Sequence, residues 1–270
     1  MQTTQIKQKA ETQQGRVQKF LAAGDYSPYF FSNRKTQAAV DFRVCPLMKK
    51  NVKGIYESPV CPSCYSKNVL NVYRPVANRI EKLPEQTPET LEQFEETCIA
   101  LKEKFGWEKI RFYALSDFGP EDIPYIHVAG KYFMVDIISK SLIFSQNEKY
   151  LVSLFDIENV SISLSFNKQN LHSINKIEEL LRVYEPQNVN LNYTLKYPEE
   201  NPSNPEYQVF SIIHMRNQNK RKVMKETGIE ESRICCILDI NGDPVDGHGH
   251  CTSCDNCHTS YINRVFNENI

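Results

Sequence analysis

The sequence lacks any apolar run near the roughly 20 residues needed to cross a bilayer as a helix, so no membrane span is expected. Its opening stretch, MQTTQIKQKAETQQG, has neither the apolar segment nor the small-residue cleavage site of an export signal. That stretch reads as a polar tail, disordered or weakly helical, and the chain is expected in the cytoplasm. An excess of charge is missing too. Acidic and basic residues nearly cancel at a net charge of -1, so no global field draws the chain to nucleic acid. The local exception is Lys220, Arg221, Lys222 and Lys225, read either as a solvated helix face or as a phosphate contact for nucleic acid or a partner. Low-complexity segments and long-period repeats are absent as well.

What the sequence has in excess is cysteine. Nine in 270 residues is high for a reducing compartment, where disulfides are disfavoured and clustered thiols point to metal or redox chemistry. Cys98 stands alone. It lies with Leu91, Phe94, Leu101 and Phe105 on the buried stripe of a helix that Thr87 caps and Pro88 opens, so it is expected in the core. The other eight form two groups. Cys45, Cys61 and Cys64 are separated by fifteen and then two residues. Cys235 and Cys236 precede Cys251, Cys254 and Cys257, which recur at three-residue steps.

A Cys-x-x-Cys step lets both thiolates reach one ion or cluster, because the turn between them brings the side chains together. The tail run, with an upstream cysteine, supplies four thiolates. It suits an iron–sulfur cluster or a structural zinc, in which His248, His250 or His258 could replace a thiolate. The first group has three cysteines, so it either leaves a coordination position open for chemistry or borrows a ligand from the tail. Iron against zinc, and one site against two, stay open on the residues alone.

Hydrophobic periodicity places the elements. An apolar stretch over 36–48 reads as a buried strand running to Cys45, and residues 69–80 carry one helical face. Strands are expected at 109–115, 131–138, 159–166, 188–195, 209–215 and 233–240. Helices are expected at 122–129, 142–154, 171–184 and over the basic stretch. Such alternation argues for a parallel sheet with helical crossovers. The fold class is α/β, a partial (βα) barrel of about six parallel strands with a cysteine-rich C-terminal extension. The divisions are a polar tail at 1–30, the barrel with its metal loop at 31–232, and the metal-binding extension at 233–270.

A strand ending at Cys45, a CPSCYS loop at 61–66, a helix and a βα series together resemble the radical S-adenosylmethionine superfamily. The resemblance implies a partial βα barrel and a [4Fe-4S] cluster on three cysteines, whose free iron binds the amino and carboxylate groups of S-adenosylmethionine. It assigns cofactor-binding roles to Tyr65 beside the last cysteine and to Ser116 and Asp117, in the turn where the family carries glycine-glycine-glutamate-proline. It assigns further roles to Ser139 at the third strand's end, and to Ser163 and Asn167 where the family's fourth strand meets the ribose. The tail resembles the auxiliary-cluster extensions of some members. The cysteine spacing departs from the family's usual three and two residues. The chain also resembles the phage gene product eighty-eight family through CYS at 64–66, SDF at 116–118, SKS at 139–141 and the cysteine-rich tail, which would put it in a host cytoplasm. Two functions follow as expectations. One is an enzyme that cleaves S-adenosylmethionine, its small-molecule cofactor, to begin radical chemistry on a substrate the sequence does not identify. The other is a non-catalytic zinc- or cluster-stabilised phage protein acting on a host partner or nucleic acid.

Overall fold

The computed structural model describes residues 13–33, 37–61, 64–195 and 212–215. Helix α1 (Gln13–Ala23) leads into an antiparallel pair, β1 (Phe30–Asn33) and β2 (Gln37–Val40). A two-stranded hairpin, β3 (Lys49–Lys50) and β4 (Tyr56–Glu57), precedes helices α2 (Tyr65–Val72), α3 (Arg74–Glu81) and α4 (Pro88–Phe105). The βα series then runs β5 (Lys109–Phe112), α5 (Ile123–Tyr132), β6 (Met134–Ser139), α6 (Glu148–Ser153), β7 (Val160–Phe166), α7 (Ile174–Tyr184), β8 (Val189–Leu195) and β9 (Ile212–Met215).

The main sheet has the order β1-β2-β5-β6-β7-β8-β9. Every pairing from β2 to β9 is parallel. The architecture is therefore mixed α/β with six parallel strands in chain order. Right-handed crossovers that always advance in one direction put their helices on the same face of the sheet. That face is apolar. Val40, Phe112, Ile137, Ile162, Leu164, Phe166, Leu191 and Tyr193 all lie in the main core with 0% exposure. Burying side chains of this size contributes roughly 1.5–3 kcal/mol each.

Side chains alternate along a strand, so the intervening residues line the other, inner face. Ser163 lies opposite Asn190, and Ser165 opposite Asn192, in the β7–β8 register. Arg111 lies opposite Asp136, and Asp136 opposite Ser161. The inner face is thus polar over β7 and β8, where Ser161, Ser163, Asn190 and Asn192 are all buried, while β6 adds Met134 and Ile138 beside Asp136. Among the described residues, no pairing joins β9 to β1 or β2, and the sheet is open.

Several expected elements are displaced, each for a local reason. The helical face expected over 69–80 is split into α2 and α3, because Pro75 cannot continue a helix and is accommodated only in the first turn of the second. The strand expected to run to Cys45 stops at Val40, where the Asp41 carboxylate takes up the Leu115 and Ser116 N–H groups and the chain turns. Residues 141–147 form two 3₁₀ turns before α6, with the Asn147 Nδ2 donating to the Ser141 carbonyl 2.8 Å away. Residues 13–30 are more than a tail. Phe20 and Leu21 pack on the core, and Tyr29 is fully buried. Helix α4 follows expectation: Thr87 and Thr90 cap each other reciprocally, and Gly106, at φ 61°, ends it in a left-handed conformation. Cys98 is buried in that helix, as its stripe predicts. The strand expected at 233–240 and the basic-stretch helix lie outside the described residues.

Candidate metal centre

The segment that delivers Cys45 is fastened on both sides. Asp41, fully buried, accepts hydrogen bonds from Leu115 N at 3.1 Å, Ser116 N at 2.9 Å and Ser116 Oγ at 2.7 Å. Burial raises the Asp41 carboxyl above the usual carboxylate range, against these three donors. Two residues on, Arg43 Nη1 donates to Asp122 Oδ2 at 3.1 Å. That carboxylate oxygen also accepts Tyr113 Oη and Gly119 N, both at 2.8 Å. A β-carbon at Gly119 would fall 2.1 Å from Arg43 Nη1, so a side chain there would push the guanidinium from its place on Asp122.

Cys45 ends this segment in a turn closed by Met48 N on the Cys45 carbonyl at 3.0 Å. It is buried in a second, smaller apolar cluster with Met48, Tyr56, Leu70, Ala77, Ile80 and Leu115, against which Cys64 packs. The β3–β4 hairpin carries the chain out and back. Ser58 Oγ then accepts Cys61 N at 3.2 Å, and Cys64 N donates to the Cys61 carbonyl at 2.9 Å. Cys64 caps the N-terminus of α2. A cross-tie holds this loop to the sheet: Asn167 Nδ2, just past β7, donates to the Val60 carbonyl at 3.2 Å.

The three thiols share one electrostatic neighbourhood. Burial pushes Cys45 far up, and the charge of Asp117 and then the neighbouring Cys64 and Cys61 push the same way. Cys61 is pushed up to about 11, mainly by burial, with Cys64 and Asp117 adding and the Lys140 ammonium opposing. Both are therefore neutral thiols near neutral pH, and a soft cation would bind by displacing their protons. The donor chemistry suits iron–sulfur or zinc. The placement is gathered rather than ligating: among the described residues, no three His, Cys, Asp or Glu side chains are arranged to hold one ion.

No family model, curated protein or solved structure matches this chain. The site therefore has to be read from its own contacts.

Those contacts give the expected cofactor-binding residues different duties. Ser116 Oγ donates to Asp41. Asp117 accepts Ser139 Oγ at 2.6 Å, Ser141 Oγ at 2.9 Å, Phe118 N at 2.8 Å and Lys140 N at 3.1 Å, and so ties the ends of β5 and β6 together. Ser139 also accepts Leu142 N at 3.1 Å. Asn167 spends its Oδ1 on Gln169 N at 3.0 Å. These four residues are braces of the strand ends. Ser163 sits apart from them, buried on the inner face. Tyr65 is the first residue of α2. Cys235, Cys236, Cys251, Cys254 and Cys257 lie outside the described residues, as do Lys220, Arg221, Lys222 and Lys225.

Sequence reasoning missed Asp41, Arg43 and Asp122. A carboxylate directly after the apolar run QAAV was a readable signal for the first. The Arg43–Asp122 pair spans 79 residues, and nothing local announces it.

Proposed function

We propose that the chain is an iron–sulfur protein related to the radical S-adenosylmethionine enzymes, with Cys45, Cys61 and Cys64 as ligands of a [4Fe-4S] cluster. The observation that carries this reading is that Cys45, from before the β3–β4 hairpin, is gathered with the Cys61–Cys64 pair beside the strand ends that carry Asp117 and Asn167. Such strand ends are where α/β folds place their chemistry. Six parallel strands in chain order with a polar inner face also support the partial-barrel form of the fold.

A cluster with three protein ligands supplies an open iron for the amino and carboxylate groups of S-adenosylmethionine and an electron for its reductive cleavage. The chain's own residues do the holding. Asp41 and the Arg43–Asp122 pair set the course of the Cys45 segment, and Asn167 anchors the loop before Cys61. Ser163 is the assigned cofactor contact whose side chain lies on the inner face. The tail cysteines Cys235, Cys236, Cys251, Cys254 and Cys257 would carry the second centre, iron–sulfur or zinc, and the proposed setting is a cytoplasm.

A second reading is favoured by one observation: Ser116, Asp117 and Ser139 spend their hydrogen bonds within the chain. On that reading the thiols hold structural metal, and the protein acts on a host partner or on nucleic acid through the basic stretch at 220–225. Among the described residues, no helix is long and apolar enough to cross a membrane.

Purification without oxygen, followed by iron, acid-labile sulfide and zinc analysis, separates the two. The first reading expects iron and sulfide in near-equal amounts. It also expects loss of one cluster's iron in the Cys45→Ala, Cys61→Ala, Cys64→Ala triple variant, and deoxyadenosine release from S-adenosylmethionine with dithionite. Zinc alone in the wild-type protein selects the second.

A further inference from the structure

We infer that the inner face of the sheet binds a neutral, planar group presenting a hydrogen-bond donor beside an acceptor, a carboxamide or a nucleobase edge, and that Asn192 reads it. The inference needs no metal, and of its residues Ser163 is shared with the proposed cofactor contacts.

Asn192 is central in β8 and 1% exposed. Among the described residues, neither its Nδ2 nor its Oδ1 has a hydrogen-bond partner. Its flanking residues, Leu191 and Tyr193, face the helix-side core, so alternation turns the Asn192 amide to the inner face. A buried amide with both atoms unused is rare in a folded chain, because it gives up its water contacts for nothing. Several other asparagines use at least one amide atom: Asn188 leaves its Oδ1 unused but donates its Nδ2 to the Leu154 carbonyl. Asn71 bonds Tyr56 N and the Tyr56 carbonyl, and Asn167 and Asn170 are likewise engaged.

The surroundings define the ligand. Ser165 lies opposite Asn192 in the register, with the Ser163–Asn190 pair two residues below and Thr194 two above. All five side chains are neutral and polar. The charged residues of this face among the described strands, Lys109, Arg111 and Asp136, lie toward the start of the strands, Arg111 opposite Asp136 and Lys109 opposite Met134. Among the described side chains of β7 and β8 in this row, none selects for charge. A side-chain amide that offers one donor and one acceptor in a plane matches a group with the complementary pair, as asparagine does with an adenine edge or another amide. Hydroxyls at Ser163 and Ser165 would take up remaining polar atoms.

The test uses the full-length chain and melting temperature as the first readout. The probes are four ribonucleosides as one arm and nicotinamide and glutamine as the other, with isothermal titration for any that shift the melt. We expect one arm to raise the Tm in a concentration-dependent way. Asn192→Asp should weaken that probe at least tenfold, because it replaces the donor by a second acceptor. Asn192→Leu should abolish binding and raise the Tm of the ligand-free chain by about 2–4 °C, since it removes an unpaired buried amide. The Cys45→Ala, Cys61→Ala double variant should bind as wild type does. No shift with any probe, as when water alone satisfies the amide, overturns the inference. So does a lower ligand-free Tm in Asn192→Leu, which would assign the amide a structural role.

Discussion

The sheet carries two buried polar regions built on opposite terms. At its C-terminal rim, Asp41, Asp117 and Asp122 are buried carboxylates with their oxygens saturated by backbone N–H groups, hydroxyls and the Arg43 guanidinium. On its inner face, Asn192 is as deeply buried and has no side-chain partner among the described residues. A saturated buried group stabilises the fold that satisfies it; an unsatisfied one costs stability and is tolerated where something else completes it. The rim therefore reads as scaffold, and the inner face as a place of binding.

The comparison can be broken most forcefully at Asp122. Asp122→Ala leaves Arg43 and the Tyr113 hydroxyl without their shared partner, and should cost about 3–5 kcal/mol in chemical denaturation. A cost below about 1 kcal/mol would mean that the rim is not scaffold. Asp117→Ala should cost less, about 2–3 kcal/mol, because it strands donors from Ser139, Ser141 and Lys140 that nearby water can partly recover. On the inner face, Ser163→Ala should change stability by no more than about 1 kcal/mol, although Ser163 is only 4% exposed.

Asp41 sharpens the contrast through pH. Its folded carboxyl is raised above the ordinary value, chiefly by burial, so the folded state holds the proton more tightly than the unfolded one. This group's contribution therefore falls as pH rises through the interval between the ordinary carboxylate range and the raised folded value. Denaturation curves taken from neutral pH downward should show wild type gaining stability relative to Asp41→Asn. A constant difference across that interval would show that Asp41 does not titrate differently on folding.

Much of this was legible in the chain itself. Periodicity in KIRF, VSISLSF and VNLNYTL marks strands, since residues of alternate character must face opposite sides of a pleated sheet. The same alternation shows serines and asparagines holding one face. That was readable as an early sign of a polar interior, but the sequence reading treated these segments only as strands. The cysteine spacing marked the loop proposed to hold metal. What local pattern could not show was where strands stop. Cys45 was expected at a strand end and lies five residues past it, because a carboxylate 74 residues from Leu115 captures the backbone first.

The sequence by itself determined the alternation of strands and helices, the burial of Cys98 and the grouping of the thiols, because each depends on the spacing of neighbouring residues. Only the tertiary structure decided that Ser116, Asp117 and Ser139 serve as braces and that the Asn192 amide meets no partner among the described residues. Those outcomes depend on which distant donors arrive beside each side chain, and that is set by how the strands register against one another.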